Sequence, residues 1–204
     1  MDHLVFGAPD LDAGVRQVEG LLGVPSSPGG RHEGLGTCNR LFGFGGRSYM
    51  EVVSPDPDQP DPPRSRWFGL DSLTEPRLVT WCYAVDDLTS VVERALAVGV
   101  DLGGLREGSR RTNSGELLQW RMTDPWANRL DGAVPFFIDW GDSPHPASSL
   151  PDPCRFLSIR VHHPEAGRVE EVMAALSLDV AVVDADHPSL CAVIRTPSGD
   201  VDLC

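Results

Sequence analysis

Three stretches of the chain share one pattern of hydrophobic and polar residues. Each begins with a short apolar strand, turns at an acidic or proline-containing step, and continues with apolar residues at helical spacing. The spacing predicts helices over 9–22, 86–98 and 164–177, each followed by turn residues and further strands. The sequence therefore predicts one β-α-β-β-β module present three times, with the last copy shortened.

Two proline-rich segments separate these modules. Proline lacks the backbone N–H that a strand ladder needs, and it restricts the residue before it to extended geometry. We therefore predict linkers at 56–77 and 142–153. The predicted modules then span 1–55, 78–141 and 154–204.

Charge and composition exclude several classes of partner. The chain has 204 residues, 30 of them acidic and 17 basic, and a net charge of −13. A nucleic-acid site or a site for anionic membranes needs a basic face, and none is evident. No apolar run approaches the roughly 20 residues of a membrane span, and no basic-then-apolar leader precedes the first strand. We therefore expect a cytoplasmic protein, monomeric or homodimeric, that contacts neither nucleic acid nor membrane.

The cysteines and glycines indicate neither a redox pair nor a nucleotide site. The five cysteines are scattered, mostly within apolar strands, and no CxxC pair occurs. We predict that all five are reduced thiols and that they form no disulfide. The glycine-rich GFGG lies in a hairpin rather than before a helix, so the sequence has no dinucleotide fingerprint. No nucleotide cofactor is expected.

Three segments carry a resemblance to a known family. DHLVFGAPDLDAGVRQVEGLLGV, GGRHEGLGTCNRLF and YMEVVSPDP resemble the glyoxalase-like domain family of the vicinal oxygen chelate superfamily, which also includes bleomycin-resistance proteins and extradiol dioxygenases. The resemblance covers nearly the whole chain and is sharpest in its first 60 residues. It implies an α+β fold in which repeated βαβββ modules form curved, mainly antiparallel mixed sheets around a cavity for a small molecule.

Within that fold, strand parity singles out His3 and Glu51. Alternate residues of a strand face opposite sides of the sheet, and Leu4 and Phe6 form the large apolar row expected against a helix. His3 is then expected to face the cavity. Glu51 stands in an otherwise apolar strand, where a buried, unpaired carboxylate would cost roughly several kcal/mol. The resemblance implies that a histidine of the first strand and a glutamate of the last strand bind a divalent metal.

Further ligands are less well specified by the sequence. The same parity offers Asp139 and His162 to the cavity, whereas Thr80, at the position matching His3, departs from the metalloenzyme pattern. A site of His3, Glu51 and one of His162 or Asp139 would suit Fe(II), Mn, Zn, Ni or Co. The alternative is a hydrogen-bonded pair of His3 and Glu51 in a cavity that holds no metal.

Five other residues are candidates for binding a substrate. The resemblance implies that the stretch containing His32 and Asn39 borders the cavity, although a surface turn explains it equally well. Arg160, Gln119 and Arg121 lie on the polar rows of predicted strands and could hold an anionic or carbonyl substrate. A solvated sheet face explains Gln119 and Arg121 almost as well.

The resemblance and the candidate residues together predict a function. We expect a metal-assisted lyase, isomerase or dioxygenase that acts on a small oxygen-bearing molecule, with Glu51 and His3 as its catalytic residues. The alternative from another class is a metal-free protein of the bleomycin-resistance type, which binds and sequesters a compound. The two differ in what fills the space between His3 and Glu51.

Overall fold

The computed structural model describes residues 1–112 and 115–204. Its helices and strands follow in three repeats of strand, helix and three strands. The helices are α1 (Leu11–Leu22), α2 (Leu88–Ala97) and α3 (Ala166–Ala175). The strands are β1 (His3–Gly7), β2 (Ser27–His32), β3 (Thr37–Gly43), β4 (Tyr49–Pro55), β5 (Arg77–Ala84), β6 (Arg106–Arg111), β7 (Leu117–Met122), β8 (Phe136–Asp139), β9 (Arg155–His163), β10 (Ala181–Asp184), β11 (Ser189–Thr196) and β12 (Gly199–Leu203).

The three helices lie within their predicted ranges, and local chemistry explains where the first two begin. The side chain of Asp10 accepts a hydrogen bond from the backbone N–H of Ala13, at 2.8 Å. Asp87 accepts one in the same way from the N–H of Ser90, at 3.0 Å. Each aspartate satisfies one of the backbone donors that a helix start leaves free. None of the described helices is long and apolar enough to cross a membrane.

The first two repeats form one closed barrel of eight strands, in the order β1-β4-β3-β2-β6-β7-β8-β5. Within each repeat the first strand pairs in parallel with the last, β1 with β4 and β5 with β8. The repeats join through the antiparallel pair of β1 and β5, and the barrel closes where Arg31 of β2 pairs with Arg111 of β6. The predicted curved sheet around a cavity is therefore confirmed.

The third repeat forms a separate four-stranded sheet, in the order β10-β9-β11-β12. It is not shortened, because β10 (Ala181–Asp184) completes the set of strands. This strand is only four residues long, so the sequence pattern does not separate it from the loop before it. The second sheet does not contribute to the barrel, so the third repeat has no cavity wall of its own.

Alternate side chains of the barrel strands belong to two separate apolar cores. Leu4, Phe6 and Trp81 point outward, into the core that the barrel shares with the helices and the second sheet. Val5 and Cys82 point inward and belong to the barrel interior. Both sides of β1 are thus buried, and its parity decides which side chains reach the interior.

The prediction that no cysteine forms a disulfide is wrong. Cys191 and Cys204 are joined, with their Cα atoms 4.2 Å apart. Strands β11 and β12 are antiparallel neighbours in which Ala192 pairs with Leu203. Cys191, just before Ala192, therefore faces Cys204, just after Leu203. Thirteen residues separate these cysteines along the chain, and only the hairpin between them brings them together. The free cysteines of the structure are Cys38, Cys82 and Cys154.

Candidate functional site

Glu51 is the centre of a polar cluster inside the barrel. It lies on β4 between Val5 of β1 and Leu41 of β3, and its side chain points inward. The side-chain amide of Asn39 donates a hydrogen bond to Glu51 Oε1 at 2.7 Å. Asn39 is itself fixed, because its Oδ1 accepts from the backbone N–H of Gly30 at 2.7 Å. The carboxylate is therefore held in one orientation.

His3 faces Glu51 from the neighbouring strand. Its Nε2 lies 4.0 Å from Glu51 Oε2, and its Nδ1 lies 2.6 Å from Asp2 Oδ1. Asp2 is buried, and its Oδ2 accepts from Trp140 Nε1 at 3.1 Å and from His145 Nε2 at 2.8 Å. Burial alone would raise the pKa of Asp2, but hydrogen bonds from His145 and His3 hold that pKa well below its usual value. Asp2 is therefore a charged acceptor that keeps the proton of His3 on Nδ1.

His32 faces Glu51 from the opposite side. Its Nε2 lies 3.6 Å from Glu51 Oε1, and its Nδ1 lies 3.0 Å from the hydroxyl of Thr37. Burial lowers the pKa of His32 to about 4, with Glu51 opposing the shift and Arg110 adding to it. His32 is thus neutral near pH 7. With Nδ1 held by Thr37, it presents Nε2 to the carboxylate.

Each of the two imidazoles lies at a distance from Glu51 that an ion shared with the carboxylate would allow. Ligand atoms about 2.0–2.2 Å from one metal lie roughly 3–4 Å from one another. The separations of 4.0 Å and 3.6 Å from Glu51 to the two imidazoles fall in that range and exceed a hydrogen bond. Two histidines and one carboxylate are the ligand set of many divalent-metal sites. However, His3, His32 and Glu51 do not place one ligand atom each within 4.8 Å of one another, so the residues present fit an ion held by His3 and Glu51 better than one held by all three.

A second group of potential ligands lies behind His3. Asp2, His3 and Cys82 each offer one ligand atom, and these atoms lie within 4.8 Å of one another. However, both oxygens of Asp2 already accept hydrogen bonds from other side chains. Burial also raises the pKa of Cys82 well above its usual value, which disfavours the thiolate that binds metals. Among the described residues this is the group whose ligand atoms lie close enough for one ion, but its hydrogen bonds and the protonated thiol oppose metal binding.

The second repeat does not supply a matching carboxylate. Asp10 and Asp87 begin α1 and α2 at equivalent positions, so Cys82 is the equivalent of Val5. Val5 pairs with Glu51, and Cys82 pairs with Phe136. The position that corresponds to Glu51 is therefore Phe136, not Asp139.

The residue that corresponds to His3 is also not a metal ligand. Thr80 occupies that position, and its hydroxyl lies 3.4 Å from a guanidinium nitrogen of Arg129. Arg129 is buried against the barrel, where it also donates to the carbonyls of Asp124, Ala127 and Val134. The expected departure from the metalloenzyme pattern is thus present, and the polar cluster belongs mainly to the first repeat.

The expectation that Asp139, Gln119 and Arg121 face the cavity is wrong. Asp139 and Arg121 form an ion pair at 2.7 Å on the outer surface of β7 and β8, and Gln119 is exposed beside them. The apolar row of these strands, which includes Met122 and Ile138, lines the interior instead. Strand parity correctly separates a polar row of side chains from an apolar row along these strands. Here the apolar row lines the cavity, so the polar row faces solvent.

Arg160 and His162 are also outside the site, which corrects their predicted positions. Both lie on β9, in the second sheet, and not in the barrel. Arg160 is exposed and pairs with Asp202 at 3.2 Å, while His162 borders a small depression near Leu190. The third repeat encloses no shared cavity, so its polar row meets solvent instead.

Of the predicted site residues, the structure brings His3, Glu51, His32 and Asn39 together. Their roles as catalytic, metal-binding or substrate-binding residues remain predictions. Sequence reasoning did not single out four other residues near this cluster. These are Asp2, His145, Trp67 and Arg110.

The cavity between these groups is small and walled by aromatic side chains. Its volume is about 30 Å³, room for one or two water molecules. The ring of His3 stacks on Tyr49 with centroids 4.7 Å apart, and the ring of His32 meets Trp67 edge-on at 4.8 Å. Phe68, from the short 3-10 segment Trp67–Ser72, also lines the cavity. Charges inside this wall are shielded from water and act strongly on one another.

Comparison with solved structures finds one protein of similar fold and further, weaker matches. A hypothetical protein from Staphylococcus aureus has a TM-score of 0.65 at 15% identity, over 98% of this chain and 83% of that one. Methylmalonyl-CoA epimerase from Streptomyces coelicolor, in complex with 2-nitronate-propionyl-CoA, has a TM-score of 0.45 at 17% identity, over 72% of this chain and 97% of that one. The epimerase from Mycobacterium tuberculosis has a TM-score of 0.45 at 19% identity, with coverages of 72% and 91%.

A search of curated proteins finds no significant match. The family model described as a glyoxalase-like domain matches residues 1–177, which include the whole barrel and α3. The match covers all the residues of the cluster around Glu51. The chain therefore belongs to the glyoxalase-like domain family.

Proposed function

We propose that this protein is a metal-assisted lyase or isomerase acting on a small molecule that carries a carbonyl or hydroxyl oxygen. The observation that supports the proposal is the position of Glu51, between Nε2 atoms of two buried histidines. The outer nitrogens of both rings are held by other groups, Asp2 for His3 and Thr37 for His32. Such anchoring orients metal-binding imidazoles in known sites.

Each side chain has a distinct task in this proposal. His3 and Glu51 would hold the divalent ion, which when bound would act as a Lewis acid on a substrate oxygen, with the neutral His32 beside the carboxylate. Asn39 occupies Glu51 Oε1 through its hydrogen bond, so Oε2, which faces His3, is the oxygen that either binds the ion or exchanges a proton with the substrate. The aromatic wall excludes water and strengthens the electrostatic interactions inside it. Proton transfer beside a bound oxygen is the chemistry of isomerases and lyases.

Metal content and melting temperature test the proposal directly. Protein purified without a histidine tag should carry about one divalent ion per chain, and EDTA should remove it and lower the melting temperature. Glu51→Ala and His3→Ala should each abolish metal binding, whereas the exposed His187→Ala serves as the matched control. No metal in any sample, with wild-type melting unchanged by EDTA, would exclude the metalloenzyme.

A metal-free binding protein is the second candidate function. Phe136 and Thr80 stand where the second repeat would supply further ligands, and this favours the binder. Without a metal, changing either His3 or Glu51 alone leaves the other in a buried site with one polar neighbour fewer. The double change His3→Leu with Glu51→Leu should then be more stable than either single change. With a shared metal, the double variant should be no more stable than the singles.

A further inference from the structure

Arg110 is a buried cation without a partner in the barrel. It lies on β6 with 7% of its surface exposed, and it lines the same cavity as Glu51. None of the hydrogen bonds or ion pairs among the described residues includes its guanidinium. Leaving a charged group buried and unpaired is unfavourable, and every nitrogen of a guanidinium can only donate. Arg110 therefore presents donors to the cavity that the protein itself does not satisfy.

Trp67, which also lines this cavity, carries a second unsatisfied donor. Its indole Nε1 is buried and has no hydrogen-bond partner among the described residues. The side chain is 4% exposed and packs edge-on against His32. An indole N–H has no acceptor capacity, so only an acceptor atom can complete it. Two unsatisfied donors of different types around one cavity indicate an acceptor that the protein does not supply.

The neighbouring strand makes room for Arg110. A Cβ atom on Gly30 of β2 would lie 2.9 Å from Cδ and 3.0 Å from Cγ of Arg110. Any larger residue at position 30 would therefore displace the arginine stem. On β6 itself, a Cβ on Gly108 would lie 2.4 Å from Nε1 of Trp120, another residue of the cavity wall. Glycines on both strands thus accommodate the large side chains that shape this end of the cavity.

The charges nearby do not neutralise Arg110. Glu51 is the acidic side chain of the cavity wall, and its Oε1 is already occupied by Asn39, with an imidazole near each oxygen. The charge of Arg110 instead acts on His32, whose pKa it helps to lower. A negatively charged ligand would satisfy Arg110 and Trp67 together.

We propose that the cavity binds a small carboxylate, whose oxygens accept hydrogen bonds from the Arg110 guanidinium and the Trp67 indole N–H. This inference rests on the proposed function, because it assigns the substrate class of the same cavity. A planar carboxylate matches the planar fork of a guanidinium. A phosphate would bring more charge than one arginine and one neutral donor offset within an aromatic wall.

Binding of matched acids and amides tests the inference. Formate and acetate, which match the small size of the cavity, are titrated by calorimetry against formamide and acetamide, which have similar shapes and no charge. At least one acid should bind at least about tenfold more tightly than its amide, since hydrogen bonds to a charged group are the stronger kind. Arg110→Met should remove that preference, and Trp67→Phe should weaken it. Arg121→Met, on the outer surface of the barrel, should leave it unchanged.

The melting temperature of Arg110→Met separates a binding role from a structural one. Without ligand this variant should melt at or above the wild-type temperature, because methionine replaces an unpaired buried charge with a similar apolar volume. A lower melting temperature would show that Arg110 supports the fold and would overturn the inference. So would equal binding of acids and amides, absence of binding by every acid, or tighter binding of inorganic phosphate.

The same samples distinguish this inference from the proposed enzyme. Carboxylate binding that depends on Arg110, in protein without metal, would remove the metalloenzyme and keep the inference. A bound metal together with no preference for acids over amides would keep the enzyme and overturn the inference. The two conclusions therefore fail on different measurements.

Discussion

Acid should destabilise the protein through His32, beginning at a pH above the range where most carboxylates titrate. Burial lowers the pKa of this histidine from 6.5 to about 4. The charged and titratable groups that face it are Glu51 on β4, which opposes the shift, and Arg110 on β6 and His3 on β1, which add to it. In the unfolded chain none of these neighbours remains, and His32 regains its ordinary pKa.

The sign and size of the effect follow from these two pKa values. Between about pH 6.5 and pH 4, unfolded His32 binds a proton and folded His32 does not. The stability supplied by the neutral imidazole is therefore fully present above pH 6.5 and is lost as the pH falls toward 4. At about 1.4 kcal/mol per pH unit, the loss is about 3 kcal/mol.

Urea unfolding at pH 7, 5.5 and 4 measures this loss, in EDTA so that no metal occupies the imidazole. Between pH 7 and pH 4, the free energy of unfolding of the wild-type protein should fall by about 3 kcal/mol more than that of His32→Gln, because glutamine does not titrate. Acidic groups titrate in both proteins and cancel in the difference. The exposed His187→Gln should behave like wild type. Equal losses in wild type and His32→Gln would refute the reasoning.

Two further predictions concern the fold. Unfolded, unreduced protein should show three titratable thiols and fully reduced protein five, whereas five thiols before reduction would contradict the pairing of Cys191 with Cys204. Phe68 adopts a left-handed conformation, with φ of 55°. Phe68→Gly should be about 1 kcal/mol more stable to urea than Phe68→Ala, because both lose the ring and only alanine keeps the strain. Equal stability would contradict that strain.

Strand parity predicted the first repeat well for a physical reason. In β1 and β4 nearly every residue is apolar, so a lone His3 or Glu51 stands out, and Leu4 and Phe6 mark the side that packs on the outer core. The interior of the barrel is then the side that remains. The helix bounds were equally predictable, because apolar spacing and a capping aspartate are local features of the sequence.

Strand parity predicted the wrong orientation where the side chains that face the barrel interior are apolar. Gln119 and Arg121 form a clear polar row on β7, but alternation does not say which row faces the cavity. Arg110 was missed for the opposite reason, because β6 reads REGSRR and is polar on both sides. Only the closure of the barrel buries one of its arginines. That closure depends on long-range strand pairing, which local sequence patterns do not encode.

The anchoring of His3 could not be predicted from local pattern at all. Asp2 precedes it directly, but His145 lies 143 residues away from Asp2 along the chain. His145 begins the short 3-10 segment Pro146–Ser149, in the second proline-rich stretch, which the sequence suggested was only a linker. The Nδ1 atom of His145 accepts a hydrogen bond from the backbone N–H of Ala147 at 3.2 Å. The proton of the imidazole is therefore on Nε2, which donates a hydrogen bond to Asp2. A segment without regular strands thus helps to orient a buried imidazole.

The two halves of the cavity wall differ in chemistry, and this difference orients any bound molecule. The first repeat contributes its polar cluster around Glu51, whereas the second contributes Phe136, Ile138 and Met122 together with the single cation Arg110. A molecule with one charged end and one uncharged oxygen would therefore have only one way to satisfy both sides. Because Phe136 stands where a second carboxylate would be, no other side chain replaces Glu51. Loss of this one residue should abolish the site, while the apolar wall, which packs independently of it, keeps the barrel folded.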